Sequence, residues 1–193
     1  MRTSHIFLAS FSLLALAGCS QGTAMTLDDH MRNPLYAQRY WDELVDRMTN
    51  MQIHNDPALK DAAYAADVDK IKHDALKASQ DNRLLFREGV QGSFLSMKEE
   101  TNGLALLLNG TLYLDTTFVS YPGPDLRIYL TEAVDPRDVE FPDETSLDLG
   151  KIQNLYGAQE YALPEENKLT KYRTAVLWDK ELKRLYAFAQ LSL

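Results

Sequence analysis

The hydrophobic periodicity of this chain changes near residue 81, and this change limits what the chain can fold into. Before it, apolar residues recur at three- and four-residue spacing, which is typical of amphipathic helices. After it, apolar and polar residues alternate in short runs, which is typical of half-buried strands. Helices followed by strands predict an α+β architecture, with a helical layer beside a mainly β domain.

Residues 33–82 are predicted to form a helical hairpin with its turn near residues 54–56. Asn33-Pro34 and Asp56-Pro57 each place a capping side chain before a proline, the preferred pairing at a helix start. We expect the first helix to present one apolar stripe, formed by Tyr40, Trp41, Leu44, Val45, Met48 and Met51. The less regular apolar positions of the second helix are Leu59, Ala63, Ala66, Ile71 and Ala75.

Residues 83–193 are predicted to form an antiparallel β domain, a sandwich or a barrel, and we favour the sandwich. The alternating runs are Leu112/Leu114/Thr116/Phe118, Leu126/Ile128/Leu130, Thr174/Val176/Trp178 and Leu185/Ala187/Ala189/Leu191. The run Leu104–Leu108 is continuously apolar, so we expect it to be buried on both faces. Turn signals separate the runs at Asn102-Gly103, Asn109-Gly110 and residues 121–124.

The first eighteen residues are predicted to be a lipoprotein signal peptide. Arg2 precedes an apolar run, Ile6 to Ala17, that is shorter than the roughly twenty residues needed to span a bilayer. Leu16-Ala17-Gly18-Cys19 resembles the bacterial lipobox, so Cys19, the only cysteine, is the predicted site of lipid attachment. An ordinary signal peptide with a chance cysteine is the alternative.

The predicted anchor also predicts a location. Several acyl chains on Cys19 would hold the protein at a membrane, with residues 19–32 as the lipidated cysteine and tether. Ser20, rather than aspartate, follows Cys19, which in the lipoprotein sorting rule of Gram-negative bacteria favours the outer membrane, facing the periplasm. Cleavage before Cys19 would remove one charged side chain, Arg2, and leave 19 basic and 28 acidic side chains, a formal charge of −9. Such a surface argues against nucleic acid as a partner.

Few side chains suggest metal or catalytic chemistry. His30, His54 and His73 are the histidines that follow Cys19, and His73 lies four residues after Asp69, a spacing that could bind a metal on one helix face. An acidic stretch could hold calcium but lacks the spacing of a calcium loop: Asp135, Asp138, Glu140, Asp143, Glu144 and Asp148. A solvated surface is the alternative for both. We therefore predict no catalytic residue, no metal site and no cofactor.

Three stretches carry a resemblance to a known family. They are "GPDLRIYL" (residues 123–130), "LGKIQNLYGAQEYALP" (residues 149–164) and "YRTAVLWDKELKRLYAFAQL" (residues 172–191). In this order and spacing they resemble the DM-thirteen domain, the "electron transfer" DM domain. The resemblance covers roughly Leu85 to Leu193 and implies a β-sandwich.

The resemblance also implies a redox role that depends on particular residues. In the family, a cysteine follows the tryptophan of the penultimate strand, and a histidine stands about four residues before the glycine matched here by Gly103. This chain has Asp179 after Trp178, and Glu99 near the histidine position. Thiolate and imidazole are the natural ligands of copper, iron and haem, so both departures weaken the redox interpretation.

The remaining motif residues are interpreted as determinants of the fold. We expect Pro122-Gly123-Pro124 to fix a turn, with Asp125 bonding nearby backbone amides. Gly157 should mark a turn or bulge, and Pro164 should close a strand. Trp178 should fill the core on the same face as Val176, with a ligand platform as the alternative.

The function predicted from these observations is that of a binding or interaction module anchored in the cell envelope. Its expected partners are the membrane, through the lipid, and an envelope protein. An electron-transfer accessory domain is the alternative, and a hydrolase is a distant third, since no motif of catalytic chemistry is present.

Overall fold

A computed structural model describes residues 25–164 and 171–192 of the chain. Its helical elements are α1 (Leu27–His30), α2 (Pro34–Ile53), a 3-10 turn (Pro57–Lys60) and α3 (Ala62–Phe86). Its strands are β1 (Val90–Ser96), β2 (Leu104–Leu108), β3 (Thr111–Leu114), β4 (Leu126–Thr131), β5 (Leu147–Lys151), β6 (Gln159–Ala162), β7 (Thr174–Asp179) and β8 (Arg184–Gln190). The predicted order, helices followed by antiparallel strands, is confirmed.

The two proline-marked helix starts behave differently. Asn33 caps α2 as predicted, because its side-chain oxygen accepts from the amides of Leu35 and Tyr36. Asp56-Pro57 starts only the short 3-10 turn. The long helix α3 begins one element later, where the extended residue Asp61 accepts from the amides of Ala63 and Tyr64. A capping pair thus marks a helical start without fixing how long that helix runs.

The contact between α2 and α3 is extensive and partly polar. The predicted stripe of α2 faces inward, with Met48 buried and its other members half-buried. The α3 prediction is wrong at three positions, since Ala63, Ala66 and Ile71 are exposed.

The buried face of α3 is Val68, Ala75 and Ser79. Ser79 donates to Asp42 of α2 (2.6 Å), which also accepts from Gln38 and Arg83. Burial by itself would raise the pKa of Asp42, but these three donors outweigh it and lower that pKa. Hydrophobic periodicity could not find a face built from polar and small side chains.

The base of the hairpin packs on the sheet. Leu106 and Leu108 of β2 are fully buried under Leu35, Leu85 and Phe86. The residues that alternate with them on β2, Ala105 and Leu107, face the main core, so this strand is buried on both faces as predicted. Helix α3 continues to Phe86, four residues past the predicted end of the hairpin.

All eight strands join one antiparallel sheet in the order β5-β4-β7-β8-β1-β2-β3-β6. The sheet is nearly barrel-shaped, and one core receives alternate residues from opposite ends of this order, among them Leu112, Leu114, Leu126, Ile128, Leu130 and Leu177. The predicted antiparallel β architecture is confirmed at this level. Asn109 and Gly110 form the predicted turn between β2 and β3, both with positive φ.

The penultimate and last strands depart from simple alternation. Val176 and Trp178 share a face as predicted, but it is the outer face of the sheet, while Leu177 points into the main core. On β8 the register shifts opposite Leu177/Trp178. The predicted grouping of Leu185 with Ala187 is therefore wrong, because this bulge sends Leu185 to the outer face.

Residues 1–18 and Cys19, and with them the predicted signal peptide and lipid attachment, lie outside the described residues. Within residues 25–164 and 171–192, no helix combines the length and apolar character that crossing a membrane requires.

Candidate functional site

An aromatic cluster covers the outer face of β4, β7 and β8. Tyr129 of β4 is buried there beside Val176 and Phe188. Phe141, from the loop between β4 and β5, packs edge-on against Tyr129, with ring centroids 5.6 Å apart. It also packs edge-on against Trp178, at 5.1 Å. The three rings form a continuous apolar floor outside the main core.

This floor is the base of an open cleft of about 880 Å³. One wall is the loop of residues 140–144, and the other carries Lys180 and Lys183 from the turn between β7 and β8. No described carboxylate lies within 4.0 Å of either ammonium group. Partly buried Trp178 therefore lines a cleft of ligand size, beside two cations that pair with no described carboxylate. The prediction that Trp178 fills the core is wrong to that extent.

Asp143 holds the loop wall in place. Its carboxylate accepts hydrogen bonds from the hydroxyls of Thr131, Thr145 and Ser146. Burial works to raise the pKa of Asp143, but the three donors outweigh it and bring that pKa below its ordinary value. The ionised carboxylate thus fixes the segment that presents Phe141 to the cleft.

The acidic residues that were considered as calcium ligands are not gathered into one site. Asp135 pairs with Arg137, Asp148 pairs with Arg127, and Asp143 is occupied by the hydroxyls of its own loop. In the described part of the chain, no group of three or more His, Cys, Asp or Glu side chains could hold a metal ion.

The histidines of the described residues stand apart. His30 stacks on Tyr36, with ring centroids 5.1 Å apart, and His54 bonds the carbonyl of Asn50. His73 is exposed, and the carboxylate of Asp69 instead accepts from Gln52. The hypothetical His73–Asp69 metal pair is not formed.

Behind Trp178, a second polar site lies inside the domain. Asp179 is completely buried, and its two oxygens accept from the backbone amides of Asp125 (3.2 Å), Glu181 (3.0 Å) and Leu182 (2.8 Å). We expected Asp125 to bond backbone amides, but its carboxylate pairs with Arg127 and Lys151 instead. The role assigned to Asp125 belongs to Asp179.

Gly123 is needed at this site for close approach. A Cβ atom on Gly123 would lie 2.2 Å from Oδ2 of Asp179 and 2.9 Å from the hydroxyl of Tyr186. The φ of Gly123 is not positive, so a left-handed backbone conformation is not the reason for glycine at this position. Gly157 does have a positive φ of 85°, as predicted for a turn.

Tyr186 and Glu99 complete this buried polar site. The hydroxyl of Tyr186 donates to the carbonyl of Pro122 (3.3 Å), and burial, with Asp179 and Glu99 nearby, raises the pKa of Tyr186. Glu99 pairs with Arg184 through Oε1. Its other oxygen, Oε2, is buried with no partner among the described residues. The sheet thus brings together the two positions, 99 and 179, that the resemblance singled out.

Comparison with known proteins supports that resemblance. The family model described as Electron transfer DM13 matches residues 93–191. This chain belongs to the DM13 family. The match begins eight residues after the predicted start at Leu85 and spans the strands from within β1 to the end of β8. No curated protein and no solved structure matches the chain.

The residues of this DM13 domain do not fit a redox metal or haem at positions 99 and 179. Asp179 presents hard oxygen donors that are already occupied by three backbone amides. Glu99 is neutralised by Arg184, and the paired side chains offer neither thiolate nor imidazole. In this chain the site is a buried network that fixes the turn of residues 122–124 against β7 and β8.

Proposed function

We propose that this DM13 protein is a lipid-anchored binding module of the cell envelope, with the aromatic cleft as its binding site. The observation that carries the proposal is the floor of Tyr129, Phe141 and Trp178 beside Lys180 and Lys183. An apolar floor with a few polar groups at the rim is the usual composition of a small-molecule site.

The cleft favours a ligand that carries a ring. Trp178 and Phe141 offer partly exposed aromatic surface, which gains most from a flat or apolar ring. Lys180 and Lys183 on one side, and Glu140 and Glu144 on the other, offer hydrogen bonds to polar substituents of that ring. We infer a small ring compound with polar substituents, such as an aromatic acid or a glycan unit.

Tryptophan fluorescence tests the cleft directly, because the chain has only two tryptophans, Trp41 and Trp178. Trp41→Phe leaves Trp178 as the single reporter. We expect members of a panel of soluble aromatic carboxylates and oligosaccharides to change its emission, and calorimetry to show that Trp178→Ala abolishes their binding. Leu182→Ala, at an exposed residue of the turn between β7 and β8, is the control and should leave binding unchanged. If no compound binds, or if binding survives Trp178→Ala, the cleft is not the site.

The anchor is a separate part of the proposal and rests on Leu16-Ala17-Gly18-Cys19. We expect the protein to incorporate labelled fatty acid and to fractionate with the outer membrane, facing the periplasm. Cys19→Ser should abolish both. Membrane fractionation of Cys19→Ser together with no label in the wild type would contradict lipidation. Crosslinking in intact cells tests for the expected envelope partner.

Electron transfer is the second candidate, and the description of the family is what favours it. The carboxylates at positions 99 and 179 count against it. Visible spectroscopy and metal analysis of protein purified from its native envelope distinguish the two. A stoichiometric copper, iron or haem signal that survives dialysis would support electron transfer over the binding module.

A further inference from the structure

Two loop segments at one end of the sheet contain no charged side chain. They are residues 116–124, which lie between Asp115 and Asp125 in the loop from β3 to β4, and residues 152–158, the loop from β5 to β6. A quarter of all residues in the chain are charged, so sixteen uncharged positions in two neighbouring segments are a marked departure. Surface loops usually carry charge, and its absence here indicates a face that meets something other than bulk water.

The two loops lie side by side. Val119 pairs with Tyr156 in an antiparallel bridge and with Asn102 on its other side. The amide of Ser120 donates to the carbonyl of Leu155, and that of Gly157 donates to Phe118. This small ladder turns Phe118 and Ser120 inward.

The outer face of the ladder is apolar and aromatic. Val119 is 38% exposed, Tyr121 is 54% exposed and Tyr156 is 66% exposed. We call these three residues the tyrosine platform. Tyrosine is enriched where proteins meet the interface between lipid and water, because its ring is apolar and its hydroxyl is polar.

The tyrosine platform lies at the same end of the sheet as the start of α2. The side-chain amide of Asn33 donates to the carbonyls of Leu114 (3.0 Å) and Gln159 (3.2 Å). Gln159 is only three peptide steps after Tyr156, which is at most about 11 Å of extended chain. The first turn of α2 is therefore a close neighbour of the platform.

The chain that leads to Cys19 comes directly before this helix start. His30 at the end of α1 stacks on Tyr36 in the first turn of α2, and the described part begins two residues before α1, at Met25. Six peptide steps join Met25 to Cys19, which span at most about 21 Å when fully extended. A lipid on Cys19 would therefore hold a membrane close to α1. Met25 and Leu27, both strongly exposed and apolar, lie on that path.

We propose that the tyrosine platform rests on the lipid surface to which Cys19 is attached, so that the domain has a fixed orientation on the membrane. This inference rests on the lipid anchor of the proposed function. The acidic excess of the chain makes most of its faces repel anionic head groups, whereas the uncharged platform meets no such repulsion. Tyr121 and Tyr156 would insert among the head groups, with Val119 between them.

The test uses an environment-sensitive fluorophore on a single introduced cysteine. Tyr156→Cys supplies the only free thiol, because Cys19 is either acylated or changed to serine. One form is the full lipidated chain in vesicles of phosphatidylethanolamine and phosphatidylglycerol. The other carries Cys19→Ser and an N-terminal histidine tag that tethers it to the same vesicles containing a nickel-chelating lipid. Tyr64→Cys is the matched control, since Tyr64 is an exposed tyrosine about 27 Å along α3 from Asn82.

We expect the emission at position 156 to shift to the blue, and to be quenched by brominated lipid, in both forms. The label at position 64 should show neither effect, and Tyr121→Glu should remove both at position 156. A label at position 156 that stays in water in the tagged form overturns the proposal. So does a blue shift that grows with protein concentration without vesicles, because a second copy then covers the platform.

The two forms separate the proposal from the anchor on which it rests. If the native chain does not float with vesicles, lipidation of Cys19 fails, and the tagged form still decides whether the platform contacts lipid. If the native chain floats and the label at position 156 remains in water, the anchor stands and the orientation is wrong.

Discussion

The side chain of Asn33 connects the helical hairpin to the sheet, and its removal should be among the most costly single changes in the protein. Its oxygen caps α2 at the amides of Leu35 (3.0 Å) and Tyr36 (3.3 Å). Its amide group donates to the carbonyls of Leu114 and Gln159, which belong to β3 and β6. With 5% of its surface exposed, Asn33 leaves little access for water to replace these bonds.

The magnitude follows from what each substitution removes. Asn33→Ser keeps a capping oxygen but removes both hydrogen bonds to the sheet, at about 0.5 to 1.5 kcal/mol for each bond lost. Asn33→Ala also removes the cap, which adds about 1 kcal/mol. Asn33→Asp keeps the cap but turns a carboxylate toward both carbonyls, so we expect the largest loss, about 3 to 5 kcal/mol. The whole stability of a domain is only about 5 to 15 kcal/mol.

Urea unfolding of residues 19–193, with Cys19 changed to serine, measures these differences. Asp61→Asn is the matched control, since Asp61 caps α3 at an exposed site and bonds nothing in the sheet. It should change the unfolding free energy by less than about 0.5 kcal/mol.

The variant Asn33→Asp should also depend on pH. The introduced carboxyl has its pKa raised in the folded state, so its penalty should shrink as the pH falls below that pKa and reach its full value above it. If Asn33→Asp lies within about 1 kcal/mol of the wild type at neutral pH, the bonds to the sheet do not support the hairpin as argued.

Three further predictions concern the domain itself. Gly123→Ala should lower the unfolding free energy by about 2 kcal/mol or more, because the new Cβ would meet buried Asp179. The control Gly110→Ala, with open space but positive φ, should cost only about 1 kcal/mol, and equal losses would contradict the close-approach argument. The lowered pKa of Asp143 gives stability that is present above its unfolded pKa and is lost as the pH falls through its folded pKa. Asp143→Asn should therefore weaken the pH dependence of the unfolding free energy below about pH 4, and an unchanged acid transition would refute this. Burial raises the pKa of Tyr161 to about 12, so its contribution to the unfolding free energy should be lost as the pH rises above about 10. Tyr161→Phe should weaken this alkaline dependence, measured by urea unfolding, and an unaltered dependence would count against the argument.

Local sequence signals predicted the elements whose geometry depends on neighbouring residues. Asn109-Gly110 identified its turn because few other residue pairs accept positive φ at both positions. Asn33-Pro34 identified the start of α2, and the continuous apolar run of β2 identified a strand buried on both faces. The match to the DM13 family confirms the resemblance of the three motifs, which depends on sequence alone.

Other features depend on contacts between distant segments. Ser79 can be buried because its hydroxyl donates a hydrogen bond to Asp42 of another helix, so no apolar pattern could mark that face. The bulge in β8 moved Leu185 to the outer face, since one extra residue reverses alternation beyond it. Position 123 requires glycine because Asp179, more than fifty residues later in the chain, lies against it.

The candidate sites show the same division. Residue types and local spacing alone predicted the helical and β zones and identified the replacements at positions 99 and 179, while the lipobox around Cys19 stays a prediction. Only the tertiary structure placed Phe141 over Trp178 to form the cleft, and Val119 beside Tyr156 to form the tyrosine platform. Strand register and loop packing bring those residues together across the chain, and these follow from the burial of the whole core rather than from any short stretch.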